Sequence, residues 1–346
     1  MSRALTVDLA LVAALVVLLA VFGVASDGRE FFEANLVNIL DSGSILGVVA
    51  VGEVIVMISG NLDISVGSGA GLVTAVLAVV MTHAHAGLAL GLVAAVATGL
   101  GAGLVNGVAV AYARVNSVIA TLATYSAYLG VALLVTGGQE VGIDSSALGT
   151  LGTGSFLGTG SAGSVPYLVI VLVVVTAVAA AGMRYSLGGH RVYAVGGSER
   201  ASRVAGIKVQ RYMLSTFLIS GACVAVAGVM LAAQTGTAQP TEGTVGLELT
   251  AITAVLLGGT GLSGGTGTVI GAVLGVLVLS TLDNGLLLLG VPAFWQQVAT
   301  GAVLMVAVLL QDLSGHRARI RTLRAARRRA RRAAEAAAEA AEAAGA

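Results

Sequence analysis

The chain has 346 residues, of which 57% are hydrophobic and only 10% are charged. Soluble domains carry about 25% charged residues, so this composition excludes an ordinary soluble domain and predicts an all-α polytopic membrane protein. The single cysteine, Cys223, excludes an internal disulfide and a thiolate metal cluster.

Ten hydrophobic runs along the chain are candidates for membrane-spanning helices. The first, from Ala4 to Val24, would form about 31 Å of helix, which is longer than the hydrophobic part of a cleaved signal peptide. The ten predicted spans are residues 4–24, 35–58, 67–82, 86–112, 117–136, 166–183, 212–233, 246–258, 266–289 and 293–311.

The positions of the lysines and arginines orient these spans. If the N-terminus is cytoplasmic, ten crossings bring the C-terminus back to the cytoplasm. Seventeen of the 18 cations then lie inside, and only Arg29 lies outside. Because cytoplasmic loops are enriched in cations, we predict that both termini are cytoplasmic. The only lysine, Lys208, does not follow a glycine as a Walker A motif requires, so this chain cannot bind ATP in that way.

The cationic loop 184–211 contains a candidate for contact with another protein. Ser198 can cap the N-terminus of a short helix, and Gly206 can end it. Glu199 lies in the first turn, where a negative charge interacts favourably with the helix dipole. Ala201 and Ala205 give this helix a smooth face, which suggests docking, although a plain basic loop that only fixes topology explains the charges equally well. The candidate docking residues are Ser198, Glu199, Arg200, Ala201, Arg203, Val204, Ala205 and Gly206.

Three polar segments lie outside the predicted spans. The long outer loop 137–165 has no obvious secondary structure, and its composition favours a mobile segment over a binding surface. A second outer segment covers residues 234–245. The tail 313–346, which we separate from the transmembrane domain 1–312, is arginine-rich and then rich in alanine and glutamate. Such a tail suits an anionic lipid surface better than nucleic acid, because aromatic residues are not interleaved.

Glycines recur at intervals of four residues in two predicted spans, at Gly99, Gly103 and Gly107 and at Gly267, Gly271 and Gly275. We interpret both stripes as surfaces for close helix packing. Residues 259–264 match a dinucleotide-binding pattern, but membrane spans flank them instead of a βαβ unit, so we predict a packed glycine turn.

Polar residues within membrane spans are costly to bury and are therefore functional candidates. Asp63 lies in a polar break between two spans, where it could present polar groups to a solute or cap the next helix. Asn106-Gly107 and Asn284-Gly285 lie five predicted spans apart, which is compatible with an inverted five-helix repeat. The histidine pair at 83 and 85 is a poor metal site, and no cofactor is predicted. The candidates for the translocation path are Glu53, Asn61, Asp63, Ser65, Asn106, Asp283 and Asn284.

Several motifs together resemble those of the ribose, xylose and galactose permeases of bacterial ATP-binding-cassette importers. The strongest is Gly60-Asn-Leu-Asp-Ile-Ser-Val-Gly-Ser68, in which Ile64 replaces the usual leucine. The others are residues 116–124, 191–207, 254–267 and 283–286, and the resemblance extends from about residue 35 to residue 312.

The resemblance implies a non-catalytic permease subunit in the bacterial plasma (inner) membrane that imports a monosaccharide. It also implies a cytoplasmic ATPase that binds residues 198–206, an extracytoplasmic solute-binding protein, and a second permease copy. The tail is not part of the family pattern. Two alternatives remain: the same architecture with a nucleoside or a branched-chain amino acid as solute, and a stand-alone secondary transporter in which Glu53, Asp63 or Asp283 carries protons.

Overall fold

The computed structural model describes residues 3–29, 33–82, 84, 87–156, 165–238, 240–241, 246–292 and 294–309. Within these residues the chain is almost entirely helical. The first five helices are α1 (Arg3–Ala25), α2 (Glu33–Ile58), α3 (Val66–Thr82), α4 (Leu88–Ala111) and α5 (Ser117–Thr136). The remaining helices are α6 (Ser146–Thr153), α7 (Tyr167–Tyr185), α8 (Leu187–Gly197), α9 (Glu199–Val204), α10 (Val209–Thr235), α11 (Leu247–Leu257), α12 (Val269–Leu288) and α13 (Phe294–Leu309).

Seven of these helices are long and apolar enough to cross a membrane, which confirms an all-α polytopic membrane protein. The predicted spans at 67–82, 246–258 and 293–311 coincide with the shorter apolar helices α3, α11 and α13. Helix α11 has 11 residues, or about 16 Å of length, which is less than the hydrocarbon core of a bilayer. The number of crossings therefore stays a prediction.

Helices α2 and α10 form the centre of the bundle, and both are largely buried. Helix α10 packs against α2, α3 and α4, and α2 also packs against α7, α11 and α12. The Phe217 ring of α10 is fully buried and meets Val56, Val110 and Ala120 from three other helices.

The glycine stripes are packing surfaces, as the sequence predicts. A Cβ atom on Gly99 would lie 2.5 Å from the Gly221 carbonyl oxygen of α10, and one on Gly103 would meet the Phe217 carbonyl. Gly271 and Gly275 make the same kind of contact with the backbone of Gly258 and of α11. Helices α4 and α10, and helices α11 and α12, therefore approach backbone to backbone.

The outer loop 137–165 differs from the sequence prediction. Its described residues contain α6, which Ser145 caps by accepting a hydrogen bond from the Leu148 amide, and Gly152 of α6 lies against the backbone of Ala233. Two short antiparallel pairings add to this order: β1 (Val141–Gly142) pairs with β4 (Thr237–Ala238), and β2 (Ser155–Phe156) pairs with β3 (Val165–Pro166). The expectation of a segment without secondary structure is wrong for these residues, whereas its mobility stays a prediction.

Three of the sequence predictions fall outside the described residues. They concern the tail 313–346, the histidines at 83 and 85, and residues 239 and 242–245 of the second outer segment.

Candidate functional site

The break between α2 and α3 is built from the sequence Gly60-Asn-Leu-Asp-Ile-Ser65. Helix α2 ends at Ile58, and Gly60 turns the chain with a φ of +87°, a conformation that favours glycine. Asp63 Oδ1 then accepts a hydrogen bond from the Ser65 amide at 3.1 Å, which forms an Asx turn immediately before α3. Asp63 thus shapes the entry to α3, but its bond is to the residue before the helix and not to the first helical amides.

The Asp63 carboxylate is the centre of a buried hydrogen-bond network. Its Oδ1 atom also accepts from the Ser65 hydroxyl at 2.7 Å and from the Asn106 side-chain amide at 3.3 Å, and Oδ2 accepts from the Ser220 hydroxyl at 3.4 Å. Asn106 in turn donates to Ser65 Oγ at 2.7 Å and accepts from the Thr124 hydroxyl at 2.7 Å. The network therefore connects the break to α4, α5 and α10.

The backbone amides of the break also have partners from other helices. The Leu62 amide donates to Ser117 Oγ at 3.2 Å, and the Ile64 amide donates to Thr121 Oγ1 at 3.1 Å. The Asp63 amide donates to Glu53 Oε1 at 3.2 Å. A non-helical segment at membrane depth needs such partners, because lipid offers none.

The structure brings four of the predicted path residues into this network: Glu53, Asp63, Ser65 and Asn106. All four are at most 3% exposed, so their polar atoms face each other and not solvent in this structure. Asn61 is adjacent and donates to Ser59 Oγ at 3.0 Å.

The other two predicted path residues lie on α12, away from the network's hydrogen bonds. Asp283 accepts a hydrogen bond from the Thr300 hydroxyl at 3.5 Å. The buried Asn284 Oδ1 atom has no hydrogen-bond partner among the described residues. The two Asn-Gly pairs of the predicted repeat thus have different surroundings.

Sequence reasoning missed the hydroxyl partners Ser117, Thr121, Thr124 and Ser220. Each lies in a hydrophobic run, where an isolated serine or threonine carries no signal of its own. The four-residue spacing from Ser117 to Thr121 places both hydroxyls on one face of α5. These two residues and Thr124 also belong to the motif 116–124, but the motif alone assigns no partner to them.

The short helix expected after residue 198 is present as α9. Ser198 accepts a hydrogen bond from the Ala201 amide at 3.2 Å, and Gly206 follows the helix with a φ of +77°. Ser202 is its one buried residue, whereas Val204 is 86% exposed. The seven other candidate docking residues are exposed as well. A single exposed ion pair, Glu199 with Arg203, lies along the helix.

The segment before α9 touches the break through its backbone. The last turn of α8 carries Gly196, whose added Cβ would clash with the Ile58 carbonyl oxygen. The turn between α11 and α12 carries Gly264 and Gly265, and the Gly265 amide donates to that same Ile58 oxygen at 2.8 Å. We call this meeting of Gly60, Gly196, Gly264 and Gly265 the glycine junction. It places the predicted packed turn 259–264 against the break.

Membrane-length helices that surround a buried, interrupted segment define a multi-pass membrane protein of the transporter class. Comparison with known proteins identifies the class more closely. A family model described as branched-chain amino acid transport system / permease component matches residues 35–308, and the chain belongs to this family.

Curated relatives share most of the chain. The xylose transport system permease protein XylH of Escherichia coli is 32% identical across 89% of this chain and 92% of its own length. The ribose import permease protein RbsC of Bacillus subtilis is 38% identical across 80% of this chain and 84% of its own length. The ribose import permease protein RbsC of Haemophilus influenzae is 34% identical across 87% of this chain and 92% of its own length. No solved structure matches the chain significantly.

The chain is therefore a permease subunit of an ATP-binding-cassette transporter, a transport component and not an enzyme. Its relatives and its apolar helices make it a multi-pass protein of the bacterial plasma (inner) membrane. The resemblance found in its motifs is confirmed.

Proposed function

We propose that this permease imports a monosaccharide similar to xylose or ribose. The observation that carries the proposal is the similarity to xylose and ribose permeases, which extends over at least 80% of the chain. We further propose that two permease copies form the path, with a cytoplasmic ATPase below and an extracytoplasmic solute-binding protein above. The lipid bilayer surrounds the pair, and no nucleic acid takes part.

Ten crossings with both termini in the cytoplasm are the proposed topology. The cation distribution supports it, because 17 of the 18 cations fall on one side when ten spans are counted. Helices α3, α11 and α13 are short, so each would cross with the help of the irregular segments that flank it. In this arrangement the tail 313–346 is a separate cytoplasmic segment at the membrane surface.

An inverted five-helix repeat is the proposed internal plan, with α1–α5 equivalent to α7 and α10–α13 in order. The packing supports it in three matched pairs. Helix α4 packs on α10 as α12 packs on α2; α3 packs on α4 as α11 packs on α12; and α3 packs on α10 as α11 packs on α2. An exchange of the two halves thus reproduces these contacts among α2, α3, α4, α10, α11 and α12.

Helix α9 is the proposed docking element for the ATPase, and we call it the coupling helix. Two observations support this role. All eight candidate docking residues are exposed, Val204 at 86%, so the surface of the helix is accessible to a partner. Its smooth face at Ala201 and Ala205 lets another surface approach closely.

The glycine junction is the proposed connection between the coupling helix and the break. Only the N-cap Ser198 separates α9 from Gly197, and Gly196 contacts the backbone at the end of α2, two residues before Gly60. A displacement of α9 would thus reach the break without passing through a flexible side chain. We propose that the buried polar network holds the break closed in this conformation, and that Asn61, Asp63, Ser65, Asn106 and Asn284 line or shape the path when the break moves.

Reconstitution with the cognate ATPase tests the docking role. We expect Ala201→Arg to abolish ATPase association, because a long charged side chain occupies the smooth face. The matched control is Ala194→Arg, since Ala194 is exposed on the neighbouring helix α8. If the Ala201→Arg permease bound the ATPase and transported normally, α9 would not be the docking element.

Vesicle uptake tests the solute and the energy source together. Xylose or ribose, and not leucine, should compete for uptake when the ATPase and the binding protein are present. The family description names branched-chain amino acids, so competition by leucine would favour that alternative. Uptake by the permease alone, without nucleotide, would contradict the proposal and favour a secondary transporter.

A further inference from the structure

A cavity of about 500 Å³ lies between α7 and α10, beneath α8. We call it the apolar slot. Ile55 of α2 and Cys223 of α10 lie at its inner wall, and both are buried. Helix α7 packs against α2, α8 and α12, and α10 packs against α2, α3 and α4. The slot is the gap that remains between α7 and α10.

The lining residues show that the slot is elongated. On α10 the lining runs from Tyr212 to Val226 at intervals of three and four residues, which is one face of the helix over about 21 Å. On α7 it runs from Val174 to Met183, over about 14 Å. One leaflet of a bilayer has a hydrocarbon depth of about 15 Å, so the slot has the length of a lipid chain.

The few polar groups in the slot already have partners. The Ser215 hydroxyl donates to the Tyr212 carbonyl at 2.7 Å, and Ser186 Oγ accepts from the Gly189 amide at 2.9 Å. The Tyr212 hydroxyl accepts from the Arg191 guanidinium. A sugar in the slot would leave its own hydroxyls without hydrogen bonds, whereas a hydrocarbon chain needs none.

Cations surround the Tyr212 end of the slot. Arg191 stacks over the Tyr212 ring at 5.6 Å, and Arg184 and Arg211 are next to lining residues on α7 and α10. All three side chains are exposed. The nearest acidic residue along this segment, Glu199, is already paired with Arg203. The charge at this end therefore suits an anionic headgroup.

We propose that the apolar slot holds one acyl chain of an anionic phospholipid, with its headgroup beside Arg191. Wide apolar clefts of this volume are typical of ligand sites. The proposal goes beyond solute import and uses the proposed topology only to place the lipid in the cytoplasmic leaflet.

Lipid titration tests the proposal without any mutation. The purified permease is delipidated in detergent, and the lipid that it rebinds is counted by native mass spectrometry. Phosphatidylglycerol should bind at one site per chain and should half-saturate that site at about fivefold lower concentration than phosphatidylcholine with the same acyl chains. Inorganic phosphate should not displace the lipid, since a free anion cannot fill the slot. Failure of phosphatidylglycerol to bind, or equal affinity for the two lipids, would overturn the proposal.

Two variants and their controls locate the site. Ala179→Phe and Ala222→Phe fill the slot from opposite walls, and each should remove the lipid that native mass spectrometry detects on the wild-type chain. Val173→Phe is the control, because Val173 is on α7, is 60% exposed and does not line the slot. Arg191→Gln should abolish the preference for phosphatidylglycerol, whereas Arg200→Gln on α9 should keep it. Retention of the lipid in both filled variants would contradict the assignment.

Discussion

The break at residues 60–65 and the coupling helix α9 are both polar segments of this permease. Their side chains differ in exposure and in hydrogen bonding. In the break, Asp63 is 3% exposed and accepts hydrogen bonds from three other side chains. In α9, the charged residues and Val204 face solvent, and only Ser202 is buried. The first arrangement stabilises the chain itself. The second contributes little to the fold, which leaves the helix available for a partner.

The largest effect is expected from Asp63→Leu. The change removes the acceptor of the Ser65 amide, the Ser65 hydroxyl and the Ser220 hydroxyl in a buried site, and each unsatisfied group costs about 1–3 kcal/mol of stability. We expect thermal unfolding in detergent to show a loss of about 3 kcal/mol or more. The control Asp144→Leu, at an exposed carboxylate of the outer loop, should change stability by about 0.5 kcal/mol or less. Equal effects at the two positions would show that the network does not hold the break.

A smaller effect should come from Gly196→Ala at the glycine junction. The new methyl group meets the Ile58 carbonyl oxygen, and overpacking of this kind costs about 1–3 kcal/mol. Gly197→Ala is an adjacent control, because a Cβ there has no atom within 4 Å. Transport by the two variants, normalised to the folded amount, separates the roles. If Gly196→Ala transports as well as Gly197→Ala, the junction does not couple α9 to the break.

Ser198→Ala should lower the local stability of α9 by about 1 kcal/mol, the usual contribution of a helix N-cap. Hydrogen exchange of the amides in α9 should become faster, while exchange in α2 and α10 stays unchanged. Ser198→Asp restores a capping oxygen and should restore slow exchange. Faster exchange in the Asp variant as well would exclude the cap as the cause.

Glu53→Gln should change the free energy of unfolding by about 0.5 kcal/mol or less, although Glu53 is fully buried beside Asp63. Its Oε1 atom accepts one backbone hydrogen bond, which an amide oxygen accepts equally well, and its Oε2 atom has no partner among the described residues. Transport by this variant also bears on the alternative of proton coupling. A loss of transport with normal stability would favour a proton-carrying Glu53.

The smallest effect on stability is expected from Val204→Ser, because the side chain is 86% exposed. The melting temperature should stay within the error of measurement. ATPase association should nevertheless weaken, and this contrast with Asp63→Leu is the sharpest test of the two roles. Unchanged association would remove Val204 from the docking surface.

Local patterns in the sequence predict much of this fold. Hydrophobic runs locate the long helices, the spacing of Gly99, Gly103 and Gly107 identifies a packing face, and Ser198 with Gly206 bounds α9. These features depend on neighbours a few residues apart along the chain. Helix α8 was missed because its four glycines obscure an amphipathic pattern, and α6 was missed because its serines, threonines and glycines resemble a loop.

The candidate site was predicted only in part, because its partners are distant in sequence. Asp63 is recognisable as a polar residue in a break, but Ser220 is 157 residues away and Thr121 is 57 residues from Ile64. A hydroxyl in a hydrophobic run gives no sign of which residue it bonds. The glycine junction has the same character, since Gly60, Gly196 and Gly265 come from three separate segments and each resembles an ordinary turn or helix residue.

The hydrogen bond from the Gly265 amide to the Ile58 carbonyl has a consequence for biogenesis. The ribosome makes residue 265 some 200 residues after residue 58, so the end of α2 lacks this donor while the first half of the chain enters the bilayer. A nascent chain that stops before the turn of residues 259–265 carries an incomplete break within the lipid. The first half of the chain therefore reaches its final structure only after the second half has entered the membrane. Truncated chains should be substrates for membrane proteases.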